Sequence, residues 1–125
     1  MTTQALTTAT FDQAVFDNDI VLVDFWAPWC GPCRAFEPIF ERASATHPDI
    51  VFAKVDTDAE QSLATSAGIT SIPTLMVFRE RVLVFSQPGA IRGAALEEVI
   101  ASVRKLDMDD VRADLAQAQG ARAAS

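Results

Sequence analysis

The segment Ile20–Trp26, IVLVDFW, constrains the fold more than any other part of the chain. It is a nearly continuous apolar run rich in β-branched residues, the pattern of a strand buried on both faces. Such a strand needs a covering layer on each side, so the chain must supply helices for both. The run leads directly into Trp29-Cys30-Gly31-Pro32-Cys33. From Cys33 to about His47, Phe36, Ile39, Phe40 and Ala43 recur at helical spacing, and Pro38 is expected to kink that helix.

The remaining elements alternate. Thr10 and Gln13 have capping-box spacing and predict a short helix to about Asp17. Ile50–Val55 reads as a second buried strand. Ala59–Ala67 reads as a helix closed by Gly68. Thr74–Phe78 and Val82–Ser86 read as a hairpin around Arg79-Glu80-Arg81, a tip without the usual Asn-Gly signal. Ala94 to about Lys105 places Leu96, Val99, Ile100 and Val103 on one helical face, and Met1–Thr8 adds a weak edge strand. This order predicts an α/β fold: a mixed central sheet with helices on both faces, its first two strong strands parallel. Residues 1–106 make the domain. Residues 107–125 form a C-terminal helical extension, with Met108, Val111 and Leu115 at helical spacing and a frayed end from Gly120. A surface extension of the last helix is preferred over a partner-binding arm.

With 125 residues, half of them hydrophobic, the chain can bury a core without staples. A formal net charge of −7 argues against nucleic acid and anionic membrane as partners. No apolar run approaches the ~18 residues of a membrane helix, and the polar N-terminus has no signal-peptide pattern. The expected compartment is the cytoplasm, where cysteines serve catalysis or metal binding more often than stapling. Two cysteines and one distant histidine, His47, do not make a zinc site; His47 reads as a helix-terminus residue.

A Cys-x-x-Cys beside a βαβ pattern is a redox signal. Residues three apart on a regular helix have Cβ atoms ~5–6 Å apart, too far for a disulfide, so Cys30 must sit at the irregular helix start. Gly31 permits the close turn, and Pro32 fits the first turn, where a missing N–H costs nothing. At that start, unpaired N–H groups and the helix dipole favour a thiolate, the nucleophilic form. Cys33, one turn deeper, is expected to be more buried and to need help losing its proton. Asp24, the one charge in the strand run, is a candidate helper with Lys54 of the next strand as partner. Equally, Asp24 could point to water with Lys54 solvated; spacing alone does not choose.

Asp24-Phe25-Trp26-Ala27-Pro28-Trp29-Cys30-Gly31-Pro32-Cys33 resembles the active-site segment of bacterial thioredoxins. Ala53-Lys54-Val55-Asp56, Gly68-Ile69, Ile72-Pro73-Thr74 and Gly89-Ala90 follow in the family's order, so the likeness spans about residues 5–105. It implies a thioredoxin fold and a protein-disulfide reductase. Cys30 is similar to the attacking cysteine and Cys33 to the resolving one. Asp24 resembles the acid that relays the Cys33 proton, beside Lys54. Pro73 resembles a cis-proline facing the disulfide, and Trp29, Ile72, Gly89 and Ala90 a client-docking surface. The resemblance further implies no bound cofactor, electrons from NADPH through a flavoprotein thioredoxin reductase, protein disulfides as clients, and a monomer. A binding or chaperone module that does not need its thiols is the alternative. Arg34, the hairpin tip Arg79-Glu80-Arg81 and Pro88 depart from the pattern and bear on client or reductase preference rather than sulfur chemistry; the tail is the largest departure.

Overall fold

The computed structural model describes residues 3–124, with side chains to residue 120. Ile20–Trp26 is β2, the centre of a five-stranded sheet. β3 (Val51–Asp56) lies parallel on one side and β4 (Thr74–Arg79) antiparallel on the other. Outside these run β1 (Thr3–Ala5), parallel to β3, and β5 (Val82–Pro88), antiparallel to β4, giving the order β1-β3-β2-β4-β5. The predicted edge strand is therefore present over Thr3–Ala5, while Met1 and Thr2 lie outside the described residues.

The two-faced burial of β2 follows from its period-two side chains. Ile20 and Leu22 pack with Phe36, Phe40 and Ala43 of α2 (Gly31–Thr46) and with Leu96, Ile100 and Val103 of α4 (Gly93–Lys105). Val21, Val23 and Phe25 face the other way, onto Phe11 and Val15 of α1 (Phe11–Asp17) and Leu63 of α3 (Gln61–Ser66). Each large apolar side chain buried this way stabilises the fold by roughly 1.5–3 kcal/mol. α2 runs through Pro38 as one element, and His47 caps its end. The His47 ring nitrogens lie 2.7 Å from Glu97 and 3.2 Å from Arg104, tying the end of α2 to α4.

Local signals held unevenly. Gly68 closes α3 with φ +71; its N–H reaches Thr65 O and that of Ile69 reaches Ala64 O, the double bond of a Schellman stop. The Thr10–Gln13 capping box is not made. The Thr10 hydroxyl accepts from the Thr7 N–H at 2.9 Å, which takes it away from the first turn of α1.

The hairpin tip is a two-residue loop, Glu80-Arg81, with φ of 50° and 72°. Both positive angles mark a turn of the type usually built on Asn-Gly. Here tertiary bonds hold it instead. The Glu80 N–H donates to Asp19 O at 2.7 Å, and Arg81 donates to Phe16 O while stacking on the Phe16 ring.

The tail is a separate helix, α5 (Met108–Ala124), longer than its pattern predicts and unbroken at Gly120. Met108 is buried, and Arg112 pairs with Glu80 at 2.6 Å, so α5 leans on the hairpin tip. Arg79 secures the junction: its guanidinium donates to the carbonyls of Val103 and Leu106 at 2.8 and 2.7 Å, at the end of α4. Charged hydrogen bonds of this kind contribute ~1.5–3 kcal/mol. Arg79→Met, which keeps the aliphatic stem, is expected to lower the unfolding free energy by about 2 kcal/mol in urea denaturation.

Candidate active site

β2 is covered on both faces along its length, so the chain turns away only past Trp26. Thr57 N–H holds Trp26 O at 2.8 Å, and Cys30 N–H returns to Ala27 O at 3.2 Å. Cys30 is thereby set at the N-cap of α2 in extended conformation, φ −84 and ψ 115. Its Sγ accepts the Cys33 N–H at 3.2 Å, the cap bond that a serine or aspartate oxygen makes elsewhere. Gly31 and Pro32 occupy the first helical positions, where Pro32's missing N–H leaves no bond unmade. Cys30 and Cys33 form a disulfide with Cα atoms 5.2 Å apart.

Burial does not separate the two sulfurs as the sequence suggested: Cys30 is 4 % exposed and Cys33 3 %. Surroundings do. Cys30 Sγ lies 3.8 Å from Ile72 O and takes the helix-start N–H, while Cys33 lies one turn in. The Ile72-Pro73 peptide is cis, and Pro73 O accepts from Gly89 N–H at 2.7 Å. Gly89 adopts φ +95, a conformation suited to glycine, and brings Gly89 and Ala90, both exposed, beside the Ile72-Pro73 loop. Cys30, Cys33 and Ala27 form a small apolar cluster with Trp26 and Ile72 against it.

Trp29, adjacent in sequence to Cys30, stands at the surface. It is 67 % exposed, its indole N–H donating to Asp58 at 2.8 Å. With Ile72 it borders a shallow groove of about 360 Å³ lined also by Thr57, Gln61, Thr65, Thr70 and Ser71. Trp26, expected in the core, is half-buried at the site's margin instead.

Asp24 continues the Ile20, Leu22 side of β2, the side that faces α2, and is 1 % exposed. This settles its orientation: both faces of β2 are covered, so no water-facing side exists. Neither carboxylate oxygen has a hydrogen-bond partner in the protein. Burial pushes its pKa up from 3.8 to about 7; Lys54 pulls it down and Glu37 pushes it further up. Lys54 stands beside Asp24 in the β2–β3 register, yet its ammonium bonds Glu37 at 3.1 Å and sits 4.4 Å above the Trp26 ring. The Asp24–Lys54 partnership that the sequence left open is made by through-space attraction, not by a direct bond. Sequence reading passed over Glu37 and Asp58. Glu37 lies four residues after Cys33, one helical turn along the same side of α2, and that spacing is the signal that finds it.

This arrangement can pass two electrons between a dithiol and a disulfide. One sulfur rests at a helix start that favours its thiolate, a second can close on it, and an acid that titrates near neutrality lies under the helix. Fold and site together define a thiol–disulfide oxidoreductase. The thioredoxin family model matches residues 2–102. A relative described as putative thioredoxin 2 of Streptomyces coelicolor is 57 % identical over 117 residues, 94 % of this chain and 87 % of that one. Thioredoxin 1 of Synechococcus elongatus is 45 % identical over 98 residues, covering 77 % and 92 %. Among solved structures, Plasmodium falciparum thioredoxin superposes with a TM-score of 0.74 at 37 % identity over 79 % of this chain and 97 % of that one. Oxidised mitochondrial thioredoxin 3 of Saccharomyces cerevisiae gives 0.75 at 31 % identity, covering 80 % and 94 %. The chain belongs to the thioredoxin family and is a protein-disulfide reductase.

The buried acid has a consequence for stability. With its folded pKa raised, Asp24 binds its proton more tightly folded than unfolded, so ionisation opposes folding. The penalty begins above the unfolded value of 3.8 and is complete above about 7. Oxidised Asp24→Asn is therefore expected to exceed the parent in stability at pH 8 by about 2–4 kcal/mol, the difference shrinking toward zero near pH 4, as urea melts across that range would show.

Proposed function

We propose that the chain carries electrons to protein disulfides in the cytoplasm, as a monomer re-reduced by a flavoprotein thioredoxin reductase that draws on NADPH. The observation that carries this reading is the asymmetry about the sulfurs: Cys30 Sγ at the N-cap, accepting the Cys33 N–H. Cys30 is the nucleophile. Its thiolate attacks one sulfur of the client disulfide, breaking the client S–S bond and releasing the first client thiolate. A Cys30–client mixed disulfide remains. Cys33 then loses its proton, and its thiolate attacks Cys30 Sγ. The Cys30–client bond breaks and the second client sulfur leaves as a thiolate. Two electrons have moved from the dithiol to the client, and two protons balance the two client thiols.

Asp24 takes the Cys33 proton in the second step. A base serves best when its pKa lies near the working pH, and burial puts Asp24 there. Lys54 supports the carboxylate once it ionises. Gly31 and Pro32 shape the turn between the sulfurs. Clients dock across Trp29, Ile72, Gly89 and Ala90 beside the cis Pro73; the half-buried Ile72 and the exposed Gly89-Ala90 backbone are the surface such a strand would meet. A reductant needs a reducing compartment, which favours the cytoplasm. Residues 1–106 are the thioredoxin domain and 107–125 an extension, in keeping with a family match ending at residue 102. An alignment with the Streptomyces coelicolor relative over 94 % of the chain reaches into α5, which supports reading the extension as part of the protein's design.

The test is trapping. Cys33→Ser should accumulate a Cys30-linked client complex that dithiothreitol releases, while Cys30→Ser should form none and reduce no client. Equal trapping by the two variants would refute the assignment of roles. The rate of client reduction should rise with pH through a midpoint near 7, and that step should disappear in Asp24→Asn.

A further inference from the structure

Lys54 has two carboxylates within its field and bonds the outer one. Asp24 and Lys54 are register partners on β2 and β3. Both lie on the α2 side of the sheet, since Leu22 and Phe52, two residues before each, belong to the core half that α2 covers. Glu37 reaches this edge from α2, one turn after Cys33. The Lys54 ammonium donates to Glu37 Oε1 at 3.1 Å and rests 4.4 Å from the Trp26 ring centroid. Its side chain is only 14 % exposed while that of Glu37 is 50 %, so the pair lies at the solvent margin. Asp24 stays inside with both oxygens unbonded.

The other neighbours of Asp24 do not compete for this role. Its register partner on β4 is Leu75, apolar. Asp56, next along the Lys54 side of β3, accepts the N–H groups of Asp58 and Ala59 at the following turn. Lys54 and Glu37 are the charges that act on Asp24. A hydrogen bond between ions ties the ammonium to one place more firmly than attraction at a distance. Glu37 therefore decides where the cation sits.

We propose that Glu37 is a positioning residue for the resolving step: it holds the Lys54 ammonium on the Trp26 ring and off Asp24, leaving Asp24 free to take the Cys33 proton. The inference rests on the assignment of Asp24 as proton acceptor. Both effects of Glu37 have one sign. Its negative charge disfavours ionised Asp24 directly, and its bond to Lys54 withholds the cation that would favour it. Without Glu37, Lys54 can swing inward, and Asp24 becomes a stronger acid and a weaker base.

The experiment follows the Asp24 carboxyl by carbon-13 NMR in the oxidised protein, alongside the pH profile of client reduction. Proteins compared are the parent, Glu37→Gln, Lys54→Met, the double variant and Asp24→Asn. Glu37→Gln keeps the size of a half-exposed helical side chain, so folding is preserved. Its Asp24 titration should fall by at least about half a pH unit, roughly threefold in ionised fraction below the midpoint, and the kinetic step should move with it. In the Lys54→Met background the same substitution should shift the titration by less than half as much. An unmoved Glu37→Gln titration, or an equal shift with and without Lys54, overturns the positioning role while leaving Asp24's intact. A kinetic step that survives in Asp24→Asn overturns both.

Discussion

Everything at the site depends on β2 having no free face. A strand sealed by α2 and α4 on one side and by α1 and α3 on the other can meet solvent only at its ends. β3 flanks it on one side and β4 on the other, so the connections diverge at its C-terminal end, where open α/β sheets leave a crevice. The chain must turn there, and the turn delivers Cys30 to the start of α2. The Cys33 N–H at that start then faces the Cys30 sulfur. The same enclosure leaves Asp24, two residues back from the strand's last residue, buried at 1 % exposure. The reactive sulfur and the buried acid are thus products of one constraint.

That constraint was legible where patterns are long and local. The bounds of β2, the helical stripe of α2 and the Gly68 stop all follow from side-chain period and backbone chemistry. The Cys-x-x-Cys at the junction was legible because disulfide geometry forbids two such residues inside a regular helix. What escaped depended on partners distant in sequence. Glu80 and Arg81 take positive φ because Asp19 and Phe16 hold them, and neither contact leaves a mark near residue 80. Thr10 has the spacing of a cap but spends its oxygen on Thr7. Asp24 remained ambiguous because one carboxylate in an apolar run reads equally as a solvated defect or a buried acid; only covering both faces decides. Lys54 was placed correctly beside it, but its choice of Glu37 required a third element.

The C-terminal helix shows how a fold absorbs an addition. α4 already completes the cover of the sheet. α5 finds little apolar surface, burying Met108 while most of its length stays exposed. Its attachments are instead polar: Arg112 on Glu80, with the Arg79 guanidinium holding the Val103 and Leu106 carbonyls at the end of α4, just before the joint. These lie at the hairpin end of the sheet, where β2 begins, away from the sulfurs where it ends. The helix is thus fastened without crowding the Cys30–Cys33 disulfide.

A fully paired Asp24 would be better for stability and worse for chemistry. Bonded to Lys54 or to backbone N–H groups, the carboxylate would stay ionised well below neutrality and bind a thiol's proton weakly. Buried and without a protein hydrogen bond, it holds a proton until about pH 7, closer to the ~8.5 of an ordinary thiol, which narrows the gap across which the proton must move. The cost falls only on the ionised state, which the resolving step proposed above would need briefly and then neutralise. Placing the one nearby ammonium on Trp26 and Glu37 keeps that balance: near enough to make ionisation possible, too far to make it permanent.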